Sequence, residues 1–263
     1  MNPGPAATAT EEGQVARSTL SDEARDAMLR RRGETVFLAD WTGLTFLHFE
    51  VDPDRLQEVV PFPLDRFEGR VFVSLVAFTM RRFRPAFGGR LTSWITAPLA
   101  TQRFLNLRTY VRGPHGPGIY FMHEWLDHPL AVRLGPSTFG LPYRRGNLSY
   151  QYTQNAVSGT VVADGTSGNF SGIPGTEETT ASPVSRDEFL QERYLAYTAA
   201  GICPMAFRVW HDPWRCRSLT LESLTMTGFL ESLKQPWTTS LRFAGAAWSE
   251  GVRDVWMGRP LLA

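Results

Sequence analysis

Apolar and polar residues alternate along much of this chain, and one stretch carries unusual chemistry on its polar side. In residues 104–111, Leu105, Leu107, Thr109 and Val111 fall on one face of an extended strand, and Asn106, Arg108 and Tyr110 fall on the other. An amide, a guanidinium and a phenol sharing a strand face predict that this face lines a cavity or meets water. Residues 44–51 alternate in the same way, with Leu44, Phe46, His48 and Glu50 set against Thr45, Leu47, Phe49 and Val51. Further strands are expected at 71–82, 119–125, 148–155, 159–164, 169–173, 194–198, 205–209, 218–226 and 252–256. The glycines and prolines of 113–118 make 104–112 and 119–125 a hairpin, and Phe67-Glu-Gly-Arg70 reads as a turn.

Helices are fewer. One is expected from Ser21, as cap, to about Arg32, stopped by Gly33. A short one spans 53–60, with Asp52 as cap and Pro53 in the first turn. Others span 128–138 and 185–191, the latter with Ser185 and Glu188 spaced as a capping box. Residues 1–20 have little to bury. The division expected is therefore a flexible extension with a short helix over 1–33 and a single domain over 34–263. No internal repeat or linker divides that domain. So many short strands need their edges closed, which favours an α+β fold of mostly antiparallel β-structure, a cone or barrel with a few flanking helices.

Composition narrows the function classes. The chain has 263 residues, 43% of them hydrophobic and 20% charged, which supports an ordinary globular core. A net charge of +1 gives no electrostatic case for nucleic acid or an acidic lipid surface. The longest apolar run, 71–78, is interrupted by Ser74 and is far short of a bilayer span, and the N-terminus lacks a signal-peptide core. A cytoplasmic protein with no membrane partner is expected. Cys203 and Cys216 have no metal-ligand spacing and read as plain thiols. Nucleotide-binding and serine-nucleophile motifs are absent, and no cofactor is expected.

The candidate chemistry centres on Arg108. An inward guanidinium can clamp a carboxylate with two parallel hydrogen bonds. The competing role is an internal ion pair with Glu50, Glu124 or Glu192. Tyr110, on the same face, is either a donor or acid for a ligand or a core phenol with its hydroxyl satisfied. Tyr143 and Arg144 follow the turn Gly140-Leu-Pro142 and are candidate ligand contacts, as is Asn106. His211, in His-Asp-Pro-Trp214, is either a base oriented by Asp212 or part of a structural turn. His48 and Glu50 share a strand face, but two ligands make no metal site, so none is expected. Trp237, Trp248 and Trp256 are candidates for a homo-oligomer interface or for the core.

Three segments in fixed order carry a resemblance: Asn106-Leu-Arg-Thr-Tyr-Val111, Phe139-Gly-Leu-Pro-Tyr-Arg144 and Phe189-Leu-Gln-Glu-Arg-Tyr194. With His211 shortly before Pro213-Trp214, Val51-Asp-Pro53 and Phe67-Glu-Gly-Arg70, they resemble the YqjF-like family of uncharacterised bacterial proteins over residues 41–256. That family is similar to the acetoacetate decarboxylase-like superfamily, and the resemblance implies an antiparallel β-cone enclosing a pocket. The decarboxylase itself uses a lysine to form a Schiff base. This chain has a single lysine, Lys234, beyond the cone segments 42–226, so the resemblance does not extend to that chemistry. The family pattern also has an acidic residue two positions before the motif asparagine, where this chain has Phe104.

The function expected is binding of a small organic anion, a carboxylate, in a β-cone pocket. The first alternative is a lyase or hydro-lyase acting on a keto or hydroxy acid, with Arg108 holding the carboxylate and Tyr110 or His211 moving the proton. The second is a structural or oligomeric interaction protein.

Overall fold

Seven strands close into a ring in the computed structural model, which describes residues 19–88, 94–201 and 203–263. In chain order the ring strands are β1 (Thr35–Val51), β2 (Val71–Pro85), β3 (Gln102–Gly113), β4 (Gly116–Leu126), β10 (Leu195–Thr198), β11 (Met205–Trp210) and β13 (Arg242–Gly258). Their pairing runs β11-β10-β4-β3-β2-β1-β13, and a further β11–β13 pairing completes the circuit. All ring pairs are antiparallel except β10 with β4. Closure removes the exposed edges that short strands otherwise present.

Four more strands continue from β13 as a second sheet: β12 (Arg215–Leu224), β8 (Thr166–Pro174), β7 (Val157–Ala163) and β6 (Asn147–Tyr152). This sheet covers one outer flank of the ring. Alternation within each strand builds both layers. Leu47, Phe49, Leu75, Leu105 and Leu107 face outward and pack with Leu148, Val161 and Phe170 of the second sheet. Leu44, Phe46, Val76, Phe78 and Phe104 face inward. Each fully buried side chain of this size contributes roughly 1.5–3 kcal/mol, so both faces of the ring are tied down by apolar burial.

The expected antiparallel β fold is present, with adjustments at its margins. The hairpin of β3 and β4 turns at Pro114-His115. Strands β5 (Tyr143–Arg145), β9 (Thr179–Thr180) and β14 (Leu261–Leu262) are additions of two or three residues, too short to show a period. Helix α1 (Leu20–Leu29) starts one residue earlier than its expected cap. Thr19 is the N-cap, in a reciprocal box with Asp22, and the helix ends well before Gly33. Ser21 is instead buried, donating to the His211 carbonyl at 2.6 Å and accepting from the Trp210 indole at 3.1 Å. These contacts dock α1 onto β11. Residues 1–18 of the expected extension lie outside the described residues.

Helix α2 (Pro53–Gln57) is capped by Asp52 as expected. Helix α3 (Pro129–Phe139) ends on Gly140 in the left-handed region at φ 62°. In α4 (Arg186–Gln191) the Ser185 side chain caps the helix, while Glu188 reaches back to the Val184 amide. Helix α5 (Met226–Glu231) packs against β8. Trp237 and Trp248 are buried in the core, and the half-buried Trp256 packs on Trp210 with ring centroids 4.5 Å apart. Cys203 and Cys216 are both free.

Candidate functional site

The interior of the ring is hollow. A cavity of about 280 Å³ lies between the inward faces of all seven ring strands, α3 and the segments around Gln191 and His211. Its walls are mainly apolar and rich in aromatic rings, including Trp41, Phe46, Phe78, Phe104, Phe121, Phe207 and Trp214. Trp41 stacks nearly parallel to Trp214, and Phe78 to Phe104, so the walls are flat π surfaces. The polar side chains in this lining include Gln102, Asn106, Arg108, Glu124, Tyr143, Gln191, Arg193 and His211.

The alternation of β3 holds. Phe104, Asn106 and Arg108 look into the cavity, while Leu105, Leu107 and Val111 belong to the outer core. Arg108 is 8% exposed. One terminal nitrogen donates to the Leu190 carbonyl at 3.0 Å, its Nε has no partner, and its guanidinium carbon stands 5.8 Å from the centroid of Phe46. None of the ion pairs among the described residues includes Arg108. Glu50 pairs with Arg242 at the surface instead. Glu192 accepts from the Trp214 amide at 2.8 Å and from the Tyr194 hydroxyl. The guanidinium is therefore a buried cation with no carboxylate in direct ion-pair contact among the described residues, and the Glu192 carboxyl, which feels its charge, is engaged elsewhere.

Tyr110 shares that strand face but does not line the cavity. It lies beyond the floor, where its hydroxyl donates to the same Leu190 carbonyl at 2.8 Å. That bond fixes the direction of a longer chain. Since the tyrosine proton is committed, Ser74 donates to Tyr110 at 2.7 Å, and His48 Nδ1 donates to Ser74 at 2.7 Å. His48, Ser74 and Arg108 are successive cross-strand partners on β1, β2 and β3. Burial, with the nearby Arg108 and Arg186 charges, pushes the His48 pKa down to about 3, so it stays neutral. This chain aims the Leu190 carbonyl, at the end of α4, toward the guanidinium. His48 and Glu50 do not combine as ligands, and no group able to hold a metal ion occurs among the described residues.

His211 does line the cavity. Its Nδ1 donates to the Asp212 carbonyl at 2.8 Å, which leaves Nε2 as the basic nitrogen. Burial is the main cause of a pKa near 4, against an opposing contribution from that hydrogen bond. Asp212 thus orients the ring through its backbone, not its carboxylate. Tyr143 is also in the lining. Arg144, the next residue of β5, points to the other side and pairs with Asp164 at 3.3 Å, away from the cavity. The structure therefore brings together Asn106, Arg108, Tyr143 and His211, and leaves out Tyr110 and Arg144.

Glu124 is the residue that the alternation does not place. The β3–β4 ladder pairs Asn106 with Glu124 and Leu107 with His123, then Arg108 with Phe121. Met122 is an extra residue, a bulge that reverses the facing of everything beyond it. Phe121 and Glu124 consequently both face inward, and His123 faces outward toward Arg144 and Asp164. Glu124 is 4% exposed and its Oε2 has no hydrogen-bond partner. Burial alone raises its pKa well above the carboxylate norm, which favours the protonated form. Arg193, at the cavity edge, is by contrast satisfied by Asp65 at 3.0 Å and by the face of Phe189.

The comparisons with known proteins agree with this architecture. Residues 38–250 match the model of DUF2071, a family described as an uncharacterized conserved protein. The chain belongs to this family. It is also similar to the uncharacterized protein YqjF of Bacillus subtilis, at 30% identity over 189 residues, covering 69% of this chain and 75% of that one. Among solved structures, acetoacetate decarboxylase of Legionella pneumophila superposes with a TM-score of 0.63 at 9% identity, covering 88% of each chain. The enduracididine biosynthesis enzyme MppR, solved with HEPES buffer bound, gives 0.63 at 13% identity, covering 87% of this chain and 88% of that one. These likenesses establish an acetoacetate decarboxylase-like fold for this member of the family.

Lys234 stands outside the hollow. It follows α5 in an exposed turn, beside Glu231 and Gln235. Among the described residues no helix is long and apolar enough to cross a membrane.

Proposed function

We propose that the hollow of the ring binds a small organic carboxylate, with its head on Arg108 and its apolar body against the aromatic walls. One observation carries this reading. Arg108 is buried in an apolar cavity, unpaired with any described carboxylate, and has an unused donor at Nε. An isolated buried guanidinium costs several kcal/mol, a cost that a bound carboxylate offsets through charge-assisted hydrogen bonds. MppR has been solved in complex with pyruvate, so a related fold accommodates a small carboxylate. The test is calorimetric titration with 3-phenylpropionate and with 3-phenylpropanol, which is similar in shape but uncharged. The acid binds wild type, the alcohol binds far more weakly, and Arg108→Met abolishes the difference. Equal affinity for both, or an acid preference that survives in Arg108→Met, overturns the reading.

A second reading, turnover of the bound acid, rests on His211. Its neutral imidazole has Nε2 free to accept a proton in the same cavity as Arg108. In this reading His211→Gln retains carboxylate binding but loses any conversion of a hydroxy or keto acid followed by NMR. Conversion that persists in His211→Gln removes it. Tyr110 has no part in this reading, because its proton is committed to the Leu190 carbonyl.

A further inference from the structure

We infer that Asn106 and Glu124 form a second anchor in the cavity, which selects carboxylate ligands that also bear a hydroxyl group. The inference deepens the carboxylate reading and rests on it. The two residues are direct cross-strand partners on β3 and β4. Both line the cavity, at 5% and 4% exposure. Asn106 Oδ1 and Glu124 Oε2 are each buried without a hydrogen-bond partner. One such oxygen in a wall is costly, and two facing each other across one register position leave a polar site that apolar contacts cannot satisfy.

The chemistry of the pair defines what fits. Burial favours the acid form of Glu124, which can offer a proton from the orphaned Oε2. Asn106 Oδ1 only accepts. A hydroxyl completes both: it accepts from Glu124 and donates to Asn106. An ether or a ketone can accept but cannot donate, so it leaves Asn106 unsatisfied. β3 is regular here, because the bulge lies in β4. Two residues at a rise of about 3.3–3.4 Å put the Cα atoms of Asn106 and Arg108 roughly 7 Å apart on one strand face, so the two anchors are separate and open onto one cavity. The Met122 bulge is also the reason the acid points inward. Without the extra residue, the phase set by Phe121 would place His123 in the cavity and Glu124 outside. Bulges that re-aim a side chain beside a pocket commonly serve ligand binding.

The experiment titrates the full-length protein with 3-phenylpropionate, its 4-hydroxyphenyl analogue and its 4-methoxyphenyl analogue. Phenylacetate and 4-hydroxyphenylacetate provide a shorter pair. In wild type, the hydroxyl should improve affinity at least about tenfold in one of the two series, and the methoxy group should not. Asn106→Leu and Glu124→Leu should erase that gain, read within each variant as the ratio of its affinities for the hydroxylated and the unsubstituted acid. Glu124→Gln, which keeps a donor in a side chain of the same shape, should retain most of it and guards against misfolding of the leucine variants. If the unsubstituted acids bind through Arg108 but the hydroxyl adds nothing in either series, the second anchor is refuted and the carboxylate site stands. A hydroxyl preference unchanged in both leucine variants refutes it equally. If no acid binds through Arg108, the carboxylate reading itself fails and takes this inference with it.

Discussion

Replacing Arg108 with methionine should make the unliganded protein more stable while destroying its response to carboxylates. The guanidinium is 8% exposed, makes one hydrogen bond, to the Leu190 carbonyl, and belongs to none of the described ion pairs. Desolvating a cation without a partner costs several kcal/mol. Against this stand a charge-assisted hydrogen bond of about 1.5–3 kcal/mol and a weak contact with the face of Phe46. The Leu190 carbonyl does not become an orphan in the variant, because Tyr110 still donates to it. Methionine keeps similar bulk, adds no polar atom and suits the aromatic wall. The balance predicts a gain of about 1–3 kcal/mol, by analogy with buried charges exchanged for apolar groups. For a domain of this size each kcal/mol raises the melting temperature by roughly 2–4 °C. Differential scanning calorimetry with and without 3-phenylpropionate reads both effects. Wild type should gain about 2.7 kcal/mol at a ligand concentration one hundred times the dissociation constant, and Arg108→Met should gain nothing. Loss of 2 kcal/mol or more in the unliganded variant would falsify the reasoning, since it would make Arg108 a structural strut.

Other perturbations test separate parts of the structure. The folded-state pKa of His211 is depressed to about 4 from 6.5, so between these values the unfolded chain binds a proton that the native state refuses, and stability falls as pH drops. His211→Gln should flatten that part of the urea-derived stability curve by about 1.4 kcal/mol per pH unit; an unchanged slope would show that the imidazole ionises in place. Glu124 has the opposite sign: its raised folded pKa makes the native state lose stability as pH climbs above 4.5. Glu124→Gln should therefore match wild type below pH 4.5 and exceed it at pH 8, and a variant weaker at pH 8 would contradict a carboxyl whose charged form burial disfavours. Gly251 has φ 115°, and an added Cβ would lie 2.0 Å from the Trp41 carbonyl oxygen, so Gly251→Ala should cost more than about 2 kcal/mol in chemical denaturation. Stability within 0.5 kcal/mol of wild type would mean that β1 and β13 can separate there at little cost. Borohydride treatment with pyruvate should leave Lys234 unmodified, because that lysine sits in an exposed turn outside the ring; a reduced adduct on it would reopen Schiff-base chemistry.

Much of this architecture follows from short-range pattern. The period-two alternation of β1, β2 and β3 sorts Leu44 and Phe46 from Leu47 and Phe49, and puts Asn106 and Arg108 on the cavity face. What the pattern misses depends on length and register. Tyr110 has the correct parity, but it is two residues beyond the end of the hollow, where the Leu190 carbonyl takes its proton. Arg144 is turned away because it alternates with Tyr143 on β5, a strand of three residues whose pairing with β4 no local signal announces. Glu124 escapes for a related reason: strict alternation cannot register the extra residue at Met122. The sequence does hold a hint, since Glu124 is the one acid in a strand that is apolar or aromatic over much of its length, and such a residue asks where its charge goes. Gln102, Gln191 and Arg193 reach the wall from the ends of elements, where parity carries little information. At α1, Thr19 displaces Ser21 as cap because the Ser21 hydroxyl has stronger use between Trp210 and the His211 carbonyl.

Arg108 is a buried guanidinium with a donor to spare. Its Nε–H group is a direct reporter: in protein labelled with nitrogen-15 on arginine, the side-chain signal that disappears in Arg108→Met belongs to that bond. Titration with 3-phenylpropionate should move this signal downfield, saturating at the dissociation constant found by calorimetry, as the carboxylate takes up the unused donor. A signal that stays in place while calorimetry shows the acid bound would contradict the account, for the head group would then lie elsewhere.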